Sequence, residues 1–396
     1  MKQLYIPSLI ILATLFGCGT SENQKQEETA TITWSATEET TDLQNMAGIE
    51  FDQLTLPDGF KIELFARVNN ARSLALSPSG VVYVGNRRGG DEVYALKDLD
   101  GDFKADVRYV LDTGMRMPNG VAFHDGDLYV AEVSKLWRYE NIEDDFTKIS
   151  KTLIYDDYPT DAHHGWKFID FGPDGKLYVP VGAPCNICES KDSIYASITR
   201  MNPDGSGREV FAHGVRNTVG FTWHPETGDM YFTDNGRDAL GDTIPPCELN
   251  RATEAGQHFG YPYCHGGYIA DPEFGDKYPC ENFIKPAQKL GPHVAPLGIK
   301  FNTGNMFPEE YKNLAFIAEH GSWNRTPEAG HTGHKITTVK IENGQGVAYE
   351  DFITGFLNKE TNQAWGRPVS ILFLPDGSML ISDDLKGAIY RVSYTG

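Results

Sequence analysis

Two adjacent imidazoles, His163 and His164, stand in DAHHGWKFIDFGPDGKLYV (161–179), immediately ahead of a strand that otherwise reads as β-sheet core. An imidazole takes up or releases a proton near neutral pH, its ordinary pKa lying at about 6.5, so His164 at the mouth of a strand is a candidate general base. Alone, such a histidine is better explained as a group hydrogen-bonded into its own loop. It is not alone, because Met117-Pro118-Asn119-Gly120, Arg216-Asn217 and Trp365-Gly366-Arg367-Pro368 each lie shortly upstream of a comparable turn. If these segments converge, Asn119, His164, Arg216, Asn217 and Arg367 face one space. The forked donors of arginine suit a carboxylate-bearing ligand there.

A different chemistry is suggested by Asp98, Asp100, Asp102 and Asp106, which occupy positions 1, 3, 5 and 9 of an EF-hand-like loop. Position 6 is Phe103 and position 12 is Tyr109, so any calcium held there is weaker or assisted from elsewhere. The alternative is a polar hairpin tip between EVYALK and VRYVL. Four carboxylates at alternating spacing repel one another unless neutralised, which favours a structural cation.

Positioning these groups falls to a repeated phrase: an apolar alternation, a Pro/Asp/Gly turn and a second alternation centred on an aromatic. It occurs at 73–86, 120–132, 168–182, 220–234 and 370–384, with a longer-turned version at 298–321. Strand, tight turn and strand make a β-hairpin. Turns at Pro78, Asp125, Pro173 and Pro225 are separated by 47, 48 and 52 residues, close to one four-stranded propeller blade. Six hairpins predict an all-β, six-bladed propeller of four-stranded antiparallel blades, with an inserted region from about 240 to 295. A parallel β-helix is disfavoured because its repeats are much shorter. The early strand GFKIELFARV (59–68) is expected to pair near GAIYRVSY (387–394) and close the ring.

These motifs together resemble the soluble quinoprotein sugar dehydrogenases, the glucose/sorbosone dehydrogenase family that uses pyrroloquinoline quinone. The likeness runs from about Leu56 to Tyr394. Its specific pieces, in order, are HGVRNTVGFTWHPETGDMYFTDNGRDALGDTIPPCELN (213–250), FGYPYC (259–264), APLGIKF (295–301), AEHGSWNR (318–325) and WGRPVSILFLPDG (365–377). The resemblance implies that His164 is the catalytic base and that Arg216 and Asn217 hold the reactive carbonyl edge of the cofactor. It further implies that Asn119 contacts that face and that Arg367 binds a cofactor carboxylate. It also implies a calcium ion held by main-chain carbonyls of Gly236 and Arg237, with Asp242 adding a side-chain or outer contact. Two departures stand out. Where the family supplies a cofactor-binding lysine, this chain offers only His320 or Arg325, and Trp166-Lys167-Phe168 follows the histidine loop where relatives often carry an arginine.

The N-terminus combines Lys2, the apolar run IPSLIILATLF and the tetrad Leu15-Phe16-Gly17-Cys18, a secretory signal ending in a lipobox. Residues 1–18 are therefore expected to be a lipoprotein signal, 19–50 a flexible tether and 51–396 the catalytic propeller, in the periplasm or at the outer membrane of a bacterial envelope. Gly19 rather than Asp after Cys18 leans toward the outer membrane. A net charge of −20 argues against a nucleic-acid partner. Of the five further cysteines, Cys185 and Cys188 are expected to pair locally rather than form a zinc half-site, and Cys264 to pair with Cys280, leaving one thiol single. Glu189 follows the CxxC where a haem-attachment motif needs His, so electrons must leave through a separate acceptor.

The leading expectation is oxidation of an aldose sugar or related alcohol or aldehyde by hydride transfer to the quinone. The alternatives are a calcium-dependent propeller lactonase and a non-catalytic binding propeller. Replacing Cys18 with Ser is expected to move the protein from the membrane pellet to the soluble fraction on ultracentrifugation of lysed cells, and retention in the pellet refutes the anchor.

Overall fold

The computed structural model describes residues 33–87 and 89–396. All six expected hairpins form. Their strand pairs are Leu74–Leu76 with Val82–Val84, Gly120–His124 with Asp127–Ala131 and Asp170–Phe171 with Leu177–Val181. Phe221–Trp223 pairs with Met230–Asp234, Pro296–Phe301 with Ala315–Glu319 and Pro368–Phe373 with Met379–Asp383. Each hairpin is the inner half of a blade, numbered 1 to 6 in that order, and two further antiparallel strands complete each sheet outward.

The alternation within each strand explains how the blades stack. Successive side chains of a strand point to opposite faces of its sheet. Leu177 and Val179 of blade 3 pack with Ala122 and Tyr129 of blade 2, whereas Tyr178 between them packs with Phe221 and Phe232 of blade 4. Both faces of a blade are thus apolar, and residues Leu177–Val181 are buried throughout. The same holds at each interface, ending with Val82 and Val84 of blade 1 against Leu380 and Ile389 of blade 6. Near the hub the inner strands approach so closely that a Cβ on Gly220 would lie 2.2 Å from the carbonyl oxygen of Leu297, and one on Gly298 2.6 Å from that of Val369. Glycine is required there by contact between backbones of adjacent blades.

Closure occurs as expected. Phe60–Arg67 pairs antiparallel with Ala388–Tyr394 as the outermost strand of blade 6. The ring of Phe60 meets those of Phe307, Tyr311, Phe352 and Tyr394 at centroid distances of 4.8, 5.2, 5.0 and 5.0 Å. This early strand thereby joins blade 6 to blade 5.

Two boundaries differ from expectation. Residues 33–50, read as part of a tether, are attached: Thr33–Trp34 pairs with the outer strand of blade 2 and Thr37–Glu39 with that of blade 1. The reason is a pair of apolar anchors in an otherwise polar segment. Trp34 packs edge-on to Tyr139 and donates its Nε1–H to the Leu111 carbonyl at 2.6 Å, and Leu43 is buried. Outer blade edges present unpaired backbone groups that such a segment can satisfy. The second difference is that the inserted region is narrower than 240–295. Pro246–Ala252 and Gln288–Pro292 are the third and fourth strands of blade 4, so the insertion is 253–287. It carries the Cys264–Cys280 disulfide and lends Gln257–His258 as a parallel fifth strand to blade 3.

Cys18, its signal and the tether up to residue 32 lie outside the described residues. Among the described residues no helix is long and apolar enough to cross a membrane. Phe60→Ala is expected to lower unfolding free energy by about 2 to 4 kcal/mol, read from the shift of the urea midpoint, because it empties the aromatic seam that closes the ring.

Candidate active site

In an antiparallel hairpin the start of the first strand and the end of the second share one rim, so six radial hairpins bring those segments to one mouth of the hub. A cavity of about 380 Å³ opens there. Arg72, His164, Trp166, Arg216, Asn217 and Arg367 reach it from segments ahead of first strands. Arg87, Asn235, Gly236, Asp238 and His320 reach it from segments after second strands.

His164 sits in the left-handed region at φ 51° and is almost fully buried. Its Nδ1 lies 2.9 Å from the carbonyl oxygen of Ala183, so Nδ1 carries the proton and donates, leaving the lone pair on Nε2. Burial first, then the guanidinium of Arg216 and the neighbouring His163, push its pKa down to about 2. The ring is therefore neutral near pH 7. Gly182 backs it, and a Cβ there would lie 2.5 Å from that of His164.

Arg216 is fixed from four directions. Nε donates to the Asn186 carbonyl at 2.9 Å and a terminal nitrogen to the Asn186 Oδ1 at 2.9 Å, while further bonds reach Asn235 O at 3.2 Å and Asp238 Oδ2 at 3.2 Å. Beneath it, the Asp234 carboxylate accepts the backbone N–H groups of Arg216 and Asn217 at 2.8 and 2.7 Å. Burial raises Asp234 to about 6, against the opposing pull of those amides and of Arg216.

The other cationic wall is built on Asp384. Its carboxylate accepts from Arg72 at 2.9 Å and from His320 Nε2 at 2.9 Å, with Arg87 at 3.8 Å. Burial alone would raise this acid, but His320, Arg72 and Arg87 outweigh it and hold the carboxyl far below the usual range. Burial lowers His320 to about 4 despite Asp384, so at neutral pH it donates as a neutral ring. Arg367 donates to the carbonyls of His320 and Gly321 at 3.0 and 2.8 Å. Arg87 lies 4.2 Å over the ring of Trp166, whose buried Nε1 has no hydrogen-bond partner.

Of the expected site residues, His164, Arg216, Asn217, His320, Arg367 and Gly236 line the cavity and Asn119 does not. Asn119 is fully buried behind the wall, where Oδ1 accepts from Arg72 Nε at 2.9 Å and Nδ2 donates to Lys167 O at 2.8 Å, so it positions an arginine instead of facing the ligand space. Arg325 is absent from the lining and His320 is present. Arg237 turns its guanidinium inward onto Asp271, and Asp242 is caught at the surface, accepting the Thr326 N–H and hydroxyl at 2.8 Å each. Asp98, Asp100 and Asp106 bring carboxylate oxygens within 4.8 Å of one another, whereas Asp102 turns to Lys104 at 3.7 Å. Sequence reasoning missed Arg72, Arg87, Trp166 and Asp384. Arg72 was within reach, since it stands just upstream of the first hairpin as Arg216 and Arg367 stand upstream of theirs. Both expected disulfides form, Cys185–Cys188 and Cys264–Cys280, and Cys247 is a buried free thiol.

The fold and site define a class: a six-bladed propeller whose hub opens into an arginine-walled pocket beside a neutral histidine. The chain belongs to the TrAA12-like family, whose model matches residues 54–395. It is 36% identical over 361 residues to an uncharacterized protein of Borreliella burgdorferi, covering 86% of this chain and 91% of that one. It is 31% identical over 235 residues to a pyrroloquinoline quinone-dependent pyranose dehydrogenase of Coprinopsis cinerea, covering 46% of this chain and 31% of that longer protein. The calcium structure of the Trichoderma reesei carbohydrate-active enzyme of family AA12 shares the fold, with a TM-score of 0.75 at 20% identity over 86% of this chain and 97% of that one.

His164 is expected to stay neutral, with the proton on Nδ1, down to about pH 5 in the unliganded protein, since its lowered pKa lies beyond the ordinary histidine range. Nitrogen-15 NMR of the imidazole checks this, and a midpoint near the ordinary value would contradict the buried geometry.

Proposed function

We propose that this protein is a quinoprotein oxidoreductase that oxidises an aldose sugar or a related alcohol or aldehyde, with pyrroloquinoline quinone as cofactor. The observation that carries the reading is the gathering of Arg72, Arg87, Arg216 and Arg367 around one cavity in a chain of net charge −20. Such a concentration of guanidinium groups makes the cavity favourable to an anionic ligand. The orphaned Nε1 of Trp166 and the amide of Asn217 add donors for the same ligand. A flat tricarboxylate fits this donor set. When bound, the quinone supplies a two-electron acceptor that no amino-acid side chain offers.

The chain's own residues do the rest. Arg216, held by its fixed acceptors, aims its cationic edge at the cavity and stabilises negative charge developing there. His164 Nε2 takes the proton of the substrate hydroxyl, while its Nδ1–H stays on the Ala183 carbonyl and keeps the ring in place. A bound polyanion offsets the Arg216 field, which after burial is the next cause of the lowered His164 pKa, and so raises its basicity. At the rim Trp323 is 73% exposed, an apolar plane suited to one face of a sugar ring. The same reading assigns calcium to main-chain oxygens of Gly236 and Arg237, and a structural calcium to Asp98, Asp100 and Asp106. It also takes a separate electron acceptor and attachment to the cell envelope through Cys18. A lactonase would require several carboxylates converging on one ion, whereas Asp238 is the one acidic side chain among the described lining residues, beside four arginines.

The test is titration of the calcium-loaded protein with pyrroloquinoline quinone, followed by absorbance and by dye reduction on a panel of aldoses. His164→Ala is expected to lower kcat by about a hundredfold to ten-thousandfold with quinone affinity kept, and Arg367→Ala to weaken quinone binding by about tenfold. Absence of both a spectral change and dye reduction defeats the proposal, and lactone hydrolysis without quinone favours the hydrolase.

A further inference from the structure

Cys185 and Cys188 bracket Asn186, and Asn186 is the residue that holds Arg216. Its carbonyl accepts from Arg216 Nε and its Oδ1 from a terminal nitrogen of the same guanidinium, both at 2.9 Å. That Oδ1 also accepts the Asp238 N–H at 2.8 Å, and Asn186 Nδ2 donates to the Asp238 carbonyl at 3.2 Å. Asp238 then returns to Arg216 through Oδ2 at 3.2 Å. Asn186, Arg216 and Asp238 therefore form a closed polar ring at the cavity wall.

The segment carrying Asn186 belongs to no strand or helix. Besides the bonds of Asn186 to Asp238, two things hold it: the Cys185–Cys188 disulfide across three residues of sequence, and Tyr261, whose hydroxyl oxygen accepts the Cys188 N–H at 3.0 Å and lies 3.4 Å from Cys185 Sγ. A residue inside so small a covalent loop has few alternative conformations, so its two acceptors meet the guanidinium already oriented. All four residues of the loop are partly exposed, and Cys188 lines a second open cavity of about 180 Å³. Cys264 of the other disulfide is buried.

We propose that the Cys185–Cys188 loop is a redox-sensitive clamp in which Asn186 is the positioning residue for Arg216. Reduction by a dithiol breaks the S–S bond, and two electrons and two protons convert Cys185 and Cys188 to thiols while the donor closes its own disulfide. The opened loop no longer presents both Asn186 oxygens together, and Arg216 loses its fixed direction. This deepens the dehydrogenase reading, on which the consequence for the quinone rests, but the clamp itself is a property of Arg216 and is measured without cofactor.

The experiment follows phenylglyoxal labelling of Arg216 by peptide mass spectrometry, with the more exposed Arg138 as internal reference. Arg216 is 4% exposed, so labelling of the oxidised protein is slow. Labelling is expected to quicken by about tenfold in Asn186→Ala and in dithiothreitol-treated wild type, with Asn186→Asp, which keeps both acceptor oxygens, close to the parent. In parallel, the Kd for pyrroloquinoline quinone is expected to rise by about tenfold in Asn186→Ala and to return with Asn186→Asp. Unchanged labelling in Asn186→Ala overturns the positioning role, and unchanged labelling after reduction overturns the disulfide's part in it. If Asn186→Ala does not fold, the reduced wild type decides alone. Faster labelling in a protein that binds no quinone supports the clamp while defeating the dehydrogenase reading.

Discussion

Each blade has two apolar faces, and neither can be left in water. That constraint shapes the whole molecule. A single blade, or an open row of them, exposes a face at either end, so the sheets are stable only as a closed ring in which every face meets a neighbour. The ring closes because the first propeller strand, Phe60–Arg67, becomes the outer edge of blade 6. Closure then fixes how near the inner strands come to one another. Gly220 and Gly298 are the visible consequence, for no side chain fits where one blade's backbone touches the next.

The hub created in this way has room at its mouth for chemistry that would be unfavourable anywhere else in the fold. Four guanidinium groups face one another across a small cavity, and like charges in so confined a space repel. They persist because each is tied to fixed acceptors. Asp384 holds Arg72 and Arg87, carbonyls of the blade 5 loop hold Arg367, and Asn186 with Asp238 holds Arg216. These ties do not neutralise the pocket. They orient it, so that a bound polyanion meets donors that need no rearrangement, which is the condition under which electrostatic stabilisation is most effective.

His164 belongs to the same balance. Burial and the Arg216 charge keep it unprotonated, and the Ala183 carbonyl decides which nitrogen carries the hydrogen. The ligand that satisfies the arginines also relieves the histidine of their field. Binding and proton transfer are thus coupled through one electrostatic environment rather than through a moving part.

Much of this was legible in the chain. The hairpin phrase repeats because every inner strand faces the same environment, so the blade number, the closing strand and both disulfide pairings could be read from local pattern and spacing. Residues just upstream of a hairpin lie at the hub by symmetry, and that register identified His164, Arg216, Asn217 and Arg367. It failed for Asn119, because two residues at like positions in a repeat can still stand at different depths behind a wall. A loop's composition likewise does not disclose that the Asp242 carboxylate accepts from Thr326 or that the Arg237 guanidinium turns onto the buried Asp271. Trp34 and Leu43 pin a segment whose polarity reads as tether, since two anchors suffice when an open sheet edge lies beside them. Local order is thus written in the sequence, because it depends on residues close together in the chain. Which charges meet, as Arg72 and Asp384 do across 312 positions, was decided only when the ring closed and set distant loops at hydrogen-bonding distance.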